Sequence, residues 1–391
     1  MNLRLCSYIV GTFLQFLGLL MLIPVVCSLI YRDGDEYAFL LTAFITTVSG
    51  LLLKLINKDA GRITELTRKE GFFVAFLCWV VACLFGALPY IFTSIFSNPV
   101  DALFESMAGY TTTGATVIEE INNLPRGILF YRSFTQWLGG MGIIVLALAI
   151  LPRLSVGGMQ LMGLEAPGPV TEKLTPKISE TAKKLWLIYI GLTALLAVIL
   201  LFCGLPVFDS IVTSFSTLSI GGFTVNNASI GGFNSSLVEV IIMFFMFIAG
   251  INFLLHYFLF TGRFSKVYRN SELRFYIFLV LGFITLVFLD LWFSGYYGLV
   301  EALRYSSFQV VSILTTTGFT TTDYADWPKF SVFAIFTMMF IGACAGSTSG
   351  SIKVLRILIL VKKGYREINK LIKPRAVLPI RVNQKVVGDE V

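Results

Sequence analysis

The sequence predicts an all-α polytopic membrane protein: eight transmembrane helices with three re-entrant pore-helix and filter loops. Three observations carry this. Of 391 residues, 56% are hydrophobic and 14% are charged, where a soluble domain carries about a quarter charged residues. Eight stretches are long and apolar enough to supply the ~20 helical residues a bilayer requires. A hydroxyl-rich string ending in glycine recurs at Thr111–Gly114, Ser219–Gly222 and Thr315–Gly318, each time after an apolar segment too short to cross.

In chain order the expected spans are 5–30, 37–56, 71–96, 127–151, 184–204, 237–261, 274–294 and 330–361. The first is too long for a signal-peptide core and lacks a small-residue cleavage site, so it reads as a retained helix. The segments near 100–113, 207–220 and 300–316 suit re-entrant helices. Non-helical backbone is tolerated at membrane depth only where it is buried or lines water, so the strings after them fit a pore lining. Lys and Arg crowd 54–69, 153–184, 263–274 and the tail from Lys353, whereas 203–241 contains neither. By the positive-inside rule both termini are cytoplasmic and the three re-entrant loops open outward.

The organisation expected is a pair of helices over 1–60, then pore units over 71–155, 184–262 and 273–362. A cytoplasmic connection at 156–183 and a cytoplasmic tail at 363–391 complete it. Counting back from each glycine, Asp101 aligns with Asp209 and Phe104 with Phe308, so the repeat extends beyond the string. Cys6, Cys27, Cys78, Cys83, Cys203 and Cys344 sit in apolar runs without metal-ligand spacing and read as small packing residues.

A cation filter needs carbonyls that replace a hydration shell, on backbone that glycine frees from ordinary dihedrals. Thr111, Thr112, Thr113 and Gly114, then Ser219, Ile220, Gly221 and Gly222, then Thr315, Thr316, Thr317 and Gly318 are the candidate ion-binding residues. The bland reading is a Thr/Gly-rich outer loop. Three copies in register, each behind a helix-sized segment, weigh against it. One obligatory glycine per string implies fewer ordered sites and weaker discrimination than a two-glycine filter.

Residues 342–351, in the middle of the last expected span, form a poor helix interior. Gly342, Gly346, Ser347, Thr348, Ser349 and Gly350, with Lys353 just beyond, read as a break that projects into the pore as a movable gate. A small-residue packing face is the alternative. Arg132, with Gln136 and Trp137, opens the fourth span and is expected to snorkel to the outer interface rather than to form an intramembrane ion pair. Asp101, Glu105, Asp209 and Glu301 fall at the outer mouth, where they would concentrate cations or simply be solvated. His256 is the single histidine and reads as a packed side chain. No nucleophile, metal or phosphate-loop motif is present, so no enzyme, bound cofactor or nucleic-acid partner is expected.

These residues resemble the Trk/Ktr/HKT superfamily of potassium transporters, in particular the bacterial Trk-type membrane subunit. The resemblance is carried by AGYTTTGAT at 108–116, RSFTQWLGGMGIIV at 132–145 and the stretch 157–186. It continues through LSIGGFT at 218–224, LTTTGFTTTD at 314–323, AGSTSGSIKVLR at 345–356 and PRAVLPIR at 374–381. It implies pore units arranged pseudo-fourfold in one chain, with the filter glycines at Gly114, Gly222 and Gly318 and the gate at Gly342–Ser351. A glycine at Gly114, where sodium-preferring relatives carry serine, implies potassium. The resemblance further implies a homodimer in the bacterial inner membrane, gated by a cytosolic ring of nucleotide-binding RCK subunits that would carry the only nucleotide. Such proteins have a fourth pore unit. This sequence shows three filter glycines and stops at Val391, so the last quarter is expected to be absent.

The reading is therefore a pore-forming subunit of a potassium uptake system, with potassium as substrate at the three strings. A proton- or sodium-coupled symporter of the same fold is the first alternative. It is mildly disfavoured because no long span shows an obvious mid-membrane carboxylate, Asp290 lying near an outer end. A non-conducting regulatory membrane protein is the second.

Overall fold

The computed structural model describes residues 1–62, 67–142, 178–373, 379–383 and 385–386. The expected end of the fourth span at 143–151, most of the 156–183 connection and most of PRAVLPIR lie outside the described residues. The chain divides into two units, Met1–Gly232 and Phe233–Val391.

The first unit opens with α1 (Leu3–Leu20) and α2 (Leu22–Tyr31), which form one 29-residue candidate span, followed by α3 (Glu36–Ile56). Helix α4 (Arg68–Gly86) begins with a capping box, in which the Thr67 hydroxyl and the Glu70 carboxylate satisfy each other's amides. Short α5 (Leu88–Phe92) extends that span. Helix α6 (Pro99–Tyr110) starts at Asn98, whose side chain accepts from the Val100 amide at 3.0 Å, with Pro99 at the first helical position. Helices α7 (Arg126–Gly140), α8 (Ile178–Phe202) and α9 (Val207–Leu218) complete the unit. Trp137 of α7 donates to the Thr193 hydroxyl at 3.1 Å, and its ring lies 5.4 Å from Trp186, which fastens α8 against α7.

The second unit runs α10 (Ser236–Ala249), α11 (Phe253–Phe260), α12 (Phe264–Tyr268), α13 (Ser271–Phe293), α14 (Leu299–Leu314), α15 (Lys329–Met338) and α16 (Val354–Ile372). A two-residue hairpin pairs Arg381–Val382 with Lys385–Val386.

Eight spans are expected; among the described residues five helices are long and apolar enough to cross, or six if one bent pair is counted. Two expected spans differ in kind. The 237–261 stretch is not straight: α10 and α11 meet at 98° across Gly250–Asn252. The Asn252 side chain accepts from the Leu254 amide at 2.9 Å, so it starts a new helix where the apolar pattern suggests continuation. The 330–361 stretch is two helices, α15 and α16, separated by residues 339–353 without helix. Glycines and hydroxyls there favour turns over helix.

Candidate functional site

The three recurring strings adopt one backbone pattern. Each begins at the C-terminus of a short helix, α6, α9 or α14, and carries two left-handed residues separated by one that is not. These are Thr112 (φ 54°) and Gly114 (φ 74°), Ile220 (φ 56°) and Gly222 (φ 85°), and Thr316 (φ 67°) and Gly318 (φ 83°). A positive φ at a β-branched residue is a genuine outlier, so its recurrence in one register at Thr112, Ile220 and Thr316 marks a constrained segment. Alternation of dihedral sign is also how successive carbonyls are brought to one side of an extended chain.

The turn that enters each string is built alike. The Thr113, Gly221 and Thr317 amides donate to Ala108, Ser216 and Ser312 carbonyls at 2.9, 2.9 and 2.8 Å. The hydroxyls of Thr111 and Thr113 lie 2.8 Å apart, as do those of Thr315 and Thr317. Ser219 instead turns its hydroxyl back to the Ser216 carbonyl. Within the first unit two strings touch: a Cβ on Gly114 would collide with the Gly221 carbonyl oxygen.

The acids and bases of the sequence reading separate here. Arg132 does not snorkel. Its Nε donates to Glu105 at 2.8 Å with both side chains at most 1% exposed, a buried ion pair. Glu105 also accepts from the Thr116 hydroxyl at 3.0 Å and the Val117 amide at 3.2 Å, which anchors the chain leaving the first string. Glu105 is thus a buried anchor and not a solvated mouth carboxylate. Three donors, Arg132 Nε, the Thr116 hydroxyl and the Val117 amide, meet its two oxygens, which is what makes a buried carboxylate tolerable. In the second unit Glu239 lies 3.6 Å from Arg304 of α14. Asp101 and Asp209 are half-buried and Glu301 is exposed. His256 is buried, with Nε2 3.0 Å from the Ile248 carbonyl.

The candidate gate residues form a closed loop between α15 and α16. Gly342 donates to the Ile352 carbonyl at 2.9 Å, and Ile341 and Ile352 are bridge partners, so the neck is narrow. Inside it, the Ser347 hydroxyl donates to the Cys344 carbonyl at 2.6 Å and lies 3.0 Å from the Ser349 hydroxyl. Thr348 is buried beside them, and Lys353 reaches back to the Ser349 carbonyl and hydroxyl. The loop is tied to the break in the α10–α11 pair, where Cys344 donates to Gly250 at 3.0 Å and Phe253 donates to Gly346 at 2.9 Å. Buried Glu272, in the first turn of α13, accepts from the Ala345 amide at 2.5 Å. The Gly350 amide donates to the Thr316 hydroxyl at 2.8 Å. Glu272 carries no local sequence signal of this role, whereas Asn252, a preferred helix-starting residue inside the apolar run, marks the break.

A family model described as TrkH, cation transport protein, matches residues 36–391. The chain belongs to the TrkH family of cation transport proteins. It is 43% identical over 392 residues to the Trk system potassium uptake protein TrkH of Halomonas elongata, covering 100% of this chain and 81% of the relative. The protein of the same name from Salmonella typhimurium is 45% identical over 396 residues with the same coverage. The crystal structure of the potassium transporter TrkH from Vibrio parahaemolyticus matches with a TM-score of 0.87 and 40% identity, over 99% of this chain and 80% of that one. The family is one of helical membrane transporters and not of enzymes. The whole of this chain is matched, and the alignments do not support the expectation of an absent fourth pore unit.

Proposed function

We propose that the chain is the pore-forming membrane subunit of a Trk-type potassium uptake system. The observation that carries the reading is the shared register of left-handed residues at 112/114, 220/222 and 316/318, on backbone that follows a short helix in every case. Relatives named as potassium uptake proteins, matched along the whole chain, supply the ion. Potassium would shed water at the outer ends of α6, α9 and α14 and meet carbonyls of Thr112–Gly114, Ile220–Gly222 and Thr316–Gly318. These short helices are re-entrant in this reading, both termini are cytoplasmic, and the membrane is the bacterial inner membrane.

The loop 341–352 is the gate in this reading. Its many attachments are single hydrogen bonds to separate elements, so it is held shut by contacts that are individually weak. A second copy of the chain and cytosolic nucleotide-binding RCK subunits are the partners proposed, with no cofactor on this chain. Rubidium uptake in cells that lack other potassium uptake tests the reading. Uptake that depends on the chain, and that is lost when Gly318 is replaced by a bulky residue, supports it. Undiminished rubidium flux through that variant removes the filter assignment.

A further inference from the structure

Helix α7 presents three residues one turn apart, Arg132, Gln136 and Gly140, and all three meet the segment 219–224 of the second string. Gly140 packs so closely that a Cβ would lie 2.7 Å from the Ser219 Cα. One turn earlier, fully buried Gln136 bridges two peptide units: its Nε2 donates to the Gly221 carbonyl at 2.7 Å and its Oε1 accepts from the Phe223 amide at 3.0 Å. One turn earlier again, Arg132 donates to the Thr224 carbonyl at 3.3 Å and lies 4.2 Å over the Phe223 ring. The spacing i, i+4, i+8 places the row on one helix face, which grips the string antiparallel to itself.

Gln136 is the centre of this grip. Its amide offers a donor and an acceptor on one planar group, matched to a carbonyl and an N–H two residues apart. The clamp straddles Gly222, the string's left-handed glycine, and fixes the Gly221 carbonyl, which lies against Gly114 of the first string. Because a filter discriminates ions by the number and placement of its carbonyls, whatever sets the angle between neighbouring peptide planes also sets the discrimination.

We propose that Gln136 is a specificity-determining positioning residue: its amide fixes the second string so that potassium is preferred over sodium. This rests on the reading of 219–222 as part of an ion filter. The test is the potassium-to-sodium flux ratio of the whole chain in proteoliposomes. A wild-type chain that passes neither ion fails the filter reading itself, before any variant is compared. Given a selective wild type, Gln136→Met keeps the length of the side chain and removes both hydrogen bonds, and the ratio falls by about tenfold. Gln136→Asn keeps an amide too short to reach both partners and lowers the ratio in the same direction. It carries the test where the Met variant does not reach the membrane. A merely structural role scales both fluxes together. An unchanged ratio in either variant, at wild-type abundance, overturns the proposal.

Discussion

The backbone amide of Gly350 donates to the Thr316 hydroxyl at 2.8 Å, and this bond joins the loop 341–352 to the left-handed residue of the third string. If the loop is a gate and the third string lines the ion path, the closed state is stabilised from that path. Thr316→Val keeps the β-branched shape that occupies this backbone and removes the acceptor. One neutral hydrogen bond is worth about 0.5–1.5 kcal/mol, so rubidium flux should rise roughly two- to tenfold at equal abundance. Flux that stays level would detach this contact from gating.

The glycines at Gly114 and Gly318 share a left-handed backbone but not a neighbourhood. At Gly318 no atom of the described residues lies within 4 Å of where a Cβ would sit, whereas at Gly114 a Cβ would strike the Gly221 carbonyl. Gly318→Ala therefore carries mainly the left-handed penalty of about 1–2 kcal/mol. Gly114→Ala adds a backbone collision that no rotamer relieves. Thermal stability in detergent should fall further for Gly114→Ala, and equal losses would contradict the packing of the first two strings.

The Arg132–Glu105 pair is buried, so removing one partner leaves a charge without compensation, which costs about 3–5 kcal/mol. Arg132→Met and Glu105→Gln should each lower membrane abundance and melting temperature sharply. The double variant should recover part of the loss, because no lone charge remains. Additive losses would show that Thr116 and Thr224, rather than the charge balance, dominate the site.

The glycine columns at 114, 222 and 318 are legible in the sequence because glycine is the residue that left-handed backbone selects. The partner column is not legible, since Thr112, Ile220 and Thr316 stand where local preference would place another glycine. Only the tertiary hold on each string makes those residues adopt that backbone. Long apolar helices such as α3 and α13 follow directly from hydropathy. The break at Gly250–Asn252 does not, because hydropathy runs on through it, while Asn252 caps α11 and the Gly250 carbonyl and Phe253 amide bond Cys344 and Gly346. The Arg132–Glu105 pair spans 27 residues of chain, beyond any spacing rule for helices, and interface position alone suggests snorkelling instead.

Asp35 lies between the first two candidate spans, buried, with its carboxylate accepting from the Ser28 hydroxyl and abutting Gly127. Burial pushes its carboxyl above the ordinary range, the Ser28 hydroxyl opposes this, and neighbouring Asp33 adds to it. A raised folded-state value means that the contribution to stability is complete below the ordinary carboxylate pKa of about 3.9 and is lost as pH rises through the raised value. Asp35→Asn should therefore stabilise the protein at pH 7 and leave it unchanged near pH 3. A melting curve that responds equally at both pH values would place the effect elsewhere.

The loop itself provides the last test. Its neck is closed by Gly342 donating to Ile352, so removal of 344–350 shortens the loop without drawing α15 and α16 apart. The same deletion removes the amides that hold Gly250 and Glu272, the carbonyl that Phe253 holds, and the donor to Thr316. Several bonds of about 1 kcal/mol each are lost from one state, so an occluding loop predicts rubidium flux at least about tenfold higher. Lys353→Met, which releases the Ser349 carbonyl and hydroxyl and keeps the loop's backbone attachments, should move flux in the same direction by less. A packing element predicts the reverse order of damage. Lost contacts at the α10–α11 break and at α13 would then lower abundance and flux together, and the deletion would fall below Lys353→Met instead of above it.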